Sequence, residues 1–417
     1  GVLTGGSQGG GISNNAGGPN TYTDIFWDGD LNAGLTDAND VFSSGDEVEI
    51  VRQTTTNLKD STTFTAAGWD VSSTGKWVMP QNGGDPRVRG VYHCYGNALL
   101  DATVSSYSGT RIDPVKICTA SQMAIVSTDT SYWSKWISIE DNIDLSSVTI
   151  TSMGTSSIPF SGTIEGKGHT LSNLTINSPT SDYVAFVGYL KGDISGDGSG
   201  DGMIIGLKLN NPTISGANFV AAVVGHNILG IVTHVRVTGG TVAGTQYVGG
   251  VAGYNQSYIK NISAQTTSIT GVTDTGGIVG YNASVFQIGW STASVTGVTN
   301  TGGVAGVNVG TMENSYSKAA TVSGTTNTGG GVGYNTGTLS DMYSSGTIPG
   351  FLGDNNGGTV SNCFYDSDDA TSVSDGGSAT TTANMRTQAT FNPGGNWKFN
   401  VYWFMPAGME PALVNEE

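Results

Sequence analysis

The sequence predicts an all-β molecule. It reads as a parallel β-helix of about 27-residue coils with capping segments and a separate N-terminal β-rich region. Three observations carry this. A phrase recurs as YVGGVAGYN (247–255), TGGIVGYN (275–282), TGGVAGVN (301–308) and TGGGVGYN (328–335), and its glycines Gly253, Gly280, Gly306 and Gly333 lie 27, 26 and 27 residues apart. A fixed period in that range is the signature of stacked structural repeats. Glycine supplies 64 of 417 residues, about twice its usual share, while charged residues make up only 12%. The remainder is rich in Thr, Ser, Asn, Val and Ile, which favours short strands joined at tight corners.

Residues 1–20 are Gly-, Ser- and Asn-rich, with almost nothing to bury. They read as a flexible arm, or as an arm that links identical subunits by adding a strand to a neighbour. Residues 21–110 carry aromatics and alternating runs such as EVEIV (47–51) and RVRGVYHCY (87–95), the pattern of a small β-rich domain or cap. Within 111–180, an N-terminal cap and the first coils, KICTASQMAIVS has the apolar spacing of one short helix with Thr119 or Ser121 at its start.

The repeat array spans 181–361. FVAAVVGHN (219–227) extends it backwards at an offset of 28, which adds Gly225 to the glycine column. YVAFVGYL (183–190) aligns with an excess of about ten residues, assigned to an insertion GDISGDGSGDG at 192–202. Each unit predicts three strands and three corners: one strand through V-x-G-Y, a second such as YIKNISAQ, a third such as TSITG, then a polar corner such as VTDTG. Stacking would make Val251, Ile278, Val304 and Val332 a continuous inner ladder. At Gly249–Gly250 and Gly276–Gly277 the chain needs positive φ or an approach too close for a Cβ. Asn227, Asn255, Asn282, Asn308 and Asn335 recur in register, so their amides can stack along one corner. Residues 362–417 form a C-terminal cap, and the helix and the aromatic tail (Trp397, Phe399, Tyr402, Trp403, Phe404) are natural plugs for the two ends.

The succession of short helix, IEDNIDLSS, FSGTIEGKGHTLSNLTI (160–176), the GG-x-V-G-Y-N repeats and the tail NCFYDSDDATS…TTTANMRTQATF resembles bacterial surface proteins with GLUG-type repeats. Such repeats occur in large adhesins and in some secreted immunoglobulin-peptidase precursors. The resemblance covers about 116–412 and leaves residues 1–110 outside it. It departs from the pattern at Glu165-Gly166, where relatives often carry Asp-Gly. It implies a secreted or surface-displayed protein.

Net charge is −17, from 33 acidic and 16 basic residues, with no basic stripe of the kind a nucleic-acid partner requires. No apolar run reaches the 18–20 residues of a membrane span. The chain opens at Gly1 rather than Met, which suggests a processed form, in keeping with an extracellular or cell-surface location. Cys94 and Cys118 can form a disulfide, leaving Cys363 unpaired.

Chemistry is thinly represented. From 203 to 350 the acids are Asp274, Glu313 and Asp341 and the bases Lys208, Arg236, Lys260 and Lys318, too sparse for a pair of catalytic carboxylates. No G-x-S-x-G or H-E-x-x-H occurs, and His226 and His234 read as surface histidines. No catalytic residue and no cofactor is therefore assigned, with one candidate exception. Asp193, Asp197 and Asp201 in the insertion can offer oxygens to calcium, although their spacing of four departs from D-x-D-x-D-G. Tyr254, Tyr281 and Tyr334, in register, form a candidate contact strip for a protein or glycan surface; Tyr258, Tyr316 and Tyr343 offer further surface rings. The reading is a non-catalytic extracellular adhesion or structural protein, a β-helix mediating surface contact or self-assembly into a filament or layer. The alternative is a polysaccharide-binding or polysaccharide-cleaving β-helix, with acids from 24–49 or Glu140, Asp141 and Asp144 folded against the coil. A spacer holding another module away from the cell is a third.

Overall fold

The computed structural model describes residues 21–28, 47–53, 56, 60–66, 69, 77–78, 87–88, 108–193, 201–391 and 397–414. The N-terminal arm, Cys94, Asp197 and four of the eight early acids (Asp30, Asp37, Asp40 and Asp46) lie outside the described residues. The chain divides into two compact units, Gly1–Leu100 and Asp101–Glu417.

In the first unit, Thr21–Asp28 and Glu47–Gln53 pair as parallel strands, and Trp77–Val78 pairs antiparallel with Arg87–Val88. A short helix, Ser61–Ala66, buries Phe64 against Trp69 at 5.2 Å between ring centroids.

The second unit is a parallel β-helix with coils of about 27 residues. It opens on Val115–Ile117, which pairs with Trp136–Ile139, and that strand pairs in turn with Thr163–Glu165. Between the first two strands lies the helix Ala120–Thr128. Its N-cap is Thr119, whose Oγ1 accepts from the Gln122 amide while the Gln122 side chain accepts from the Thr119 amide, a reciprocal capping box. Met123 and Val126 face inward and join the main core.

Each coil contains five short runs rather than the three strands the sequence predicts. In one coil these are Gln246–Gly249, 252–255, 258–260, 262–264 and Ser268–Thr270, every one paired in parallel with its counterpart in the next coil. Two features explain the difference. The polar corner VTDTG is itself a strand, Thr273–Gly276, in a five-stranded sheet. The second predicted strand bends at one left-handed residue per coil: His234, Asn261, Ile288, Asn314, Asp341 and Asn362, all with φ between 52° and 58°.

The inner ladders also shift by one place. Val251, Ile278 and Val304 are fully buried. Val332, however, pairs with Ala305 and belongs to the adjoining column Ala252, Val279, Ala305, Val332. Gly331 occupies the place next to Val304, and the Phe351 ring fills the space a side chain there would take. The paired glycines answer to close approach, since neither Gly276 nor Gly277 has positive φ. A Cβ on Gly277 would overlap the carbonyl oxygen of Gly303 in the next coil.

The C-terminal tail covers a side face of the last coils instead of plugging the end. Met385, Phe391, Trp397, Trp403 and Leu413 pack over Ile288, Tyr316, Tyr343 and Phe364. Trp403 Nε1 donates to Asn314 Oδ1 at 3.0 Å, Trp397 Nε1 to the Asn362 carbonyl at 3.1 Å, and Ser345 Oγ to Glu410 at 2.7 Å. Tyr316 and Tyr343 are thus buried core residues, not surface rings. Tyr258 stays half-buried, its hydroxyl donating to Gln287 Oε1 at 2.8 Å.

Candidate functional site

Two neighbouring columns of the solenoid surface carry a cluster of half-exposed aromatic rings. The first runs through the strand that each coil forms before its glycine pair: Tyr183, Phe219 and Tyr247, followed in later coils by Asp274, Asn300 and Asn327. The second is the Tyr position of the repeat phrase: Tyr189, His226, Tyr254, Tyr281, Val307 and Tyr334. The aromatic rings of both columns are half-exposed, while alternate residues of the same strands, Val220 and Val248 among them, are fully buried; Asp274 and Val307 are the buried members of the columns.

The rings interlock. Tyr183 stacks on Phe219 at 4.7 Å and 14°, and Phe219 meets Tyr247 at 4.8 Å. Across the columns Phe219 stacks on His226 at 5.1 Å, and Tyr247 stands edge-on to Tyr254 at 5.1 Å. Tyr254 and Tyr281 are parallel, at 4.7 Å and 3°. Of the three tyrosines singled out from the sequence, Tyr254 and Tyr281 therefore touch. Tyr334 shares their register two coils beyond Tyr281, but Val307 stands between, and its hydroxyl accepts from Asn356 Nδ2 at 2.7 Å. Of the missed members, Tyr189 shares their register in an earlier coil, while Tyr183, Phe219 and Tyr247 form the neighbouring column, at the first residue of YVAFVGYL, FVAAVVGHN and YVGGVAGYN, so the alignment of those phrases held the signal.

All residues of the first column are left-handed: Tyr183 at φ 59°, Phe219 at 57°, Tyr247 at 55°, Asp274 at 54°, Asn300 at 53° and Asn327 at 51°. Asn and Asp tolerate this conformation; a bulky aromatic there is an outlier costing of order 1–3 kcal/mol. Electrostatically, the phenols and the His226 ring of the strip are held toward their neutral forms. Burial above all holds the phenols of Tyr247, Tyr254 and Tyr281 above their ordinary pKa, with the Asp274 charge adding to the effect. Burial also lowers the pKa of His226, against the hydrogen bond to Gln256 Oε1 at 2.9 Å, which favours the charged ring. Asp274, at 5% exposure, sits where the aromatic column ends; burial raises its pKa, opposed by hydrogen bonds from Asn300 and Gln246.

The asparagine column lies beside the strip, facing inward. Each Nδ2 donates to the Oδ1 of the next coil, from Asn227 through Asn255, Asn282, Asn308 and Asn335 to Asn355, at 2.8–2.9 Å. From Asn255 onward, each amide also donates to a backbone carbonyl two or three residues ahead. The glycines of the phrase stand against this corner: a Cβ on Gly253, Gly280, Gly306 or Gly333 would press on the preceding glycine's carbonyl oxygen, 2.6–2.7 Å away.

The remaining candidates fall elsewhere. Asp193 and Asp201 lie just inside the two ends of the insertion, which meet at Gly192 and Gly202. Asp197 lies outside the described residues, which hold no cluster of three or more metal-ligating side chains. Cys118 is disulfide-bonded, and Cys94 lies outside the described residues. Cys363 is free and buried, its thiol pushed up to about 12 by burial. Glu140 is buried and ion-paired with Lys167 at 2.6 Å, also accepting from Ser138 Oγ at 2.7 Å, a structural arrangement. Asp144 accepts from the Ser146 amide and from Asn173 Nδ2. No described helix is long and apolar enough to cross a membrane.

No protein-family model and no curated protein sequence matches the chain. One similar solved structure is a Bacteroides ovatus protein described as a "putative immunoglobulin A1 protease". The likeness covers 74% of this chain and 94% of that one, at 18% identity and a TM-score of 0.46. Similarity of that size does not bear on activity.

Proposed function

We propose that this protein is a non-catalytic contact protein of the cell exterior, in which a stiff β-helix presents an aromatic strip to a protein or glycan surface. The observation that supports the reading is the strain in the strip. Tyr183, Phe219 and Tyr247 occupy a left-handed position that later coils give to Asp274, Asn300 and Asn327. Folding alone favours Asn at that place, because its amide bonds locally and tolerates the conformation. Three successive aromatics there point to a use for their exposed faces. Rings held in a parallel stack lose little freedom on binding, which raises the yield of each contact.

The test is adhesion of the purified chain to immobilised host-cell surface and to a glycan panel, set against the Tyr254→Ala/Tyr281→Ala variant. Binding by the parent and its loss in a variant that keeps the parent's circular dichroism supports the strip. Equal binding by both, or no binding and no self-association by the parent, overturns it.

A further inference from the structure

One ring of the aromatic strip differs in kind from its neighbours. Four members of the second column are tyrosines, Tyr189, Tyr254, Tyr281 and Tyr334; Val307 is one exception and His226 the other. An imidazole is the one ring here that gains a charge just below neutral pH. It stands in the middle of the cluster. His226 stacks on Phe219 at 5.1 Å and 12°, and lies parallel to Tyr183 at 6.1 Å and 6°. Tyr189 and Tyr254, the rungs before and after it, stand edge-on to it at 5.1 and 5.0 Å.

Its surroundings fit a single protonation state. Nε2 lies 2.9 Å from Gln256 Oε1, which only accepts, so Nε2 carries the ring's proton and donates it. Nδ1 then holds a bare lone pair, and it is buried with no hydrogen-bond partner among the described residues. A second proton has to enter at Nδ1, where it creates a buried N–H with nothing to accept from it.

The groups facing the ring do not relieve this. They are the phenols of Tyr183, Tyr189 and Tyr254, the Phe219 ring and the Gln256 amide, and none supplies an acceptor to Nδ1 in this packing. Asp182, beside Tyr183 in the chain, accepts from the Asn218 amide at 3.2 Å and from Asn218 Nδ2 at 2.7 Å. Lys191, two residues after Tyr189, is exposed and has the wrong sign. Asp274 lies two coils further on, where its charge reaches Tyr247, Tyr254 and Tyr281. The π faces of Phe219 and Tyr183 offer a cation some attraction, but desolvation is the larger effect for an imidazole packed among rings. The His226 pKa accordingly lies below its ordinary value.

We infer that His226 is a proton switch within the contact strip: charging the imidazole expels it from the stack, opens the second column between Tyr189 and Tyr254, and releases the bound surface. The inference rests on the contact reading above and adds its regulation. The sign is that of a lowered histidine. The neutral, stacked ring is fully favoured above about pH 6.5 and loses ground as pH falls through the folded value.

Near-UV circular dichroism of the full chain, which reads the packed rings, and adhesion to immobilised host-cell surface, both followed from pH 7.5 to pH 5, test it. The parent should lose ring signal and adhesion together below about pH 6.5, adhesion falling up to about tenfold per pH unit, with the far-UV signal retained. His226→Tyr installs the residue of the other coils. Compared with its own values at pH 7.5, it should hold both signals level across the range. A pH dependence that persists in His226→Tyr assigns the proton to another group, such as Asp274, and overturns the inference. So does a parent whose ring signal is flat from pH 7.5 to pH 5. A ring transition that His226→Tyr removes, in a parent that adheres at no pH, keeps the switch and overturns the contact reading instead.

Discussion

At the scale of single residues, the fold depends on positions that repeat once per coil. Asn282 is fully buried, accepts from Asn255 and donates to Asn308. Replacing it with Ala strands the Asn308 carbonyl oxygen and takes one acceptor from Asn255, at about 1–3 kcal/mol for each buried group left unpaired. Asn355 closes the ladder, with one ladder neighbour and partial exposure. Urea unfolding should therefore show a smaller loss for Asn355→Ala than for Asn282→Ala. Asp274 gives a pH signature. Its pKa is raised in the folded chain, so folding takes up a proton between the ordinary carboxylate value of about 3.9 and the raised one. Its favourable contribution is complete at the acid end and is lost as pH rises through that window. Asp274→Asn, which continues the amides of Asn300 and Asn327, should be more stable than the parent at pH 7, with the gap closing toward pH 4. His226 has the opposite sign: its lowered pKa costs stability as pH falls below about 6.5. Melting temperatures of Asp274→Asn and parent across pH 4–8 read the first effect, and those of His226→Gln and parent the second.

At the scale of elements, the lateral cover is the least local part of the structure. Trp403 is fully buried and reaches Asn314, 89 residues earlier in the chain. Trp403→Ala removes a buried indole and leaves Asn314 Oδ1 without that donor, an expected loss of about 3–5 kcal/mol by denaturant unfolding. Removing the chain from 382 onward should uncover Tyr316, Tyr343 and Ile288, read as a gain in dye binding to exposed apolar surface, while strand content by circular dichroism holds. This region also marks the limit of what the sequence discloses. The helix after Thr119 was legible because its capping box and apolar spacing are local. The burial of Tyr316 and Tyr343 was not, because nothing near them in the chain announces the tail. The shift of Val332 into the next ladder has a similar cause: reading back from G-Y-N picks out the nearest valine, whereas register puts Gly331 beside Val304 and calls on Phe351, from the next coil, to fill the gap.

At the scale of the whole molecule, the period alone implied stacked coils, since a coil of about 27 residues cannot bury its own apolar side. The number of runs per coil was only partly legible: Asn261, Asn314, Asp341 and Asn362 mark the left-handed bend with a turn-prone residue, whereas His234 and Ile288 take the same bend without one. The aromatic strip was partly legible: Tyr254 and Tyr281 lie in obvious repeats, while Phe219 and Tyr247 emerge only when the coils are laid in register. The stack then acts as a ruler that holds rings at strand spacing along one flank, with rigidity supplied by the Asn ladder and the inner Val and Ile columns. In such a molecule the strained rings trade stability for contact. The paired variant Phe219→Asn/Tyr247→Asn separates these two quantities. The expected result is a melting temperature at or above the parent's together with loss of surface adhesion. Adhesion equal to the parent's in that same stable variant would contradict the assignment of contact to the aromatic strip.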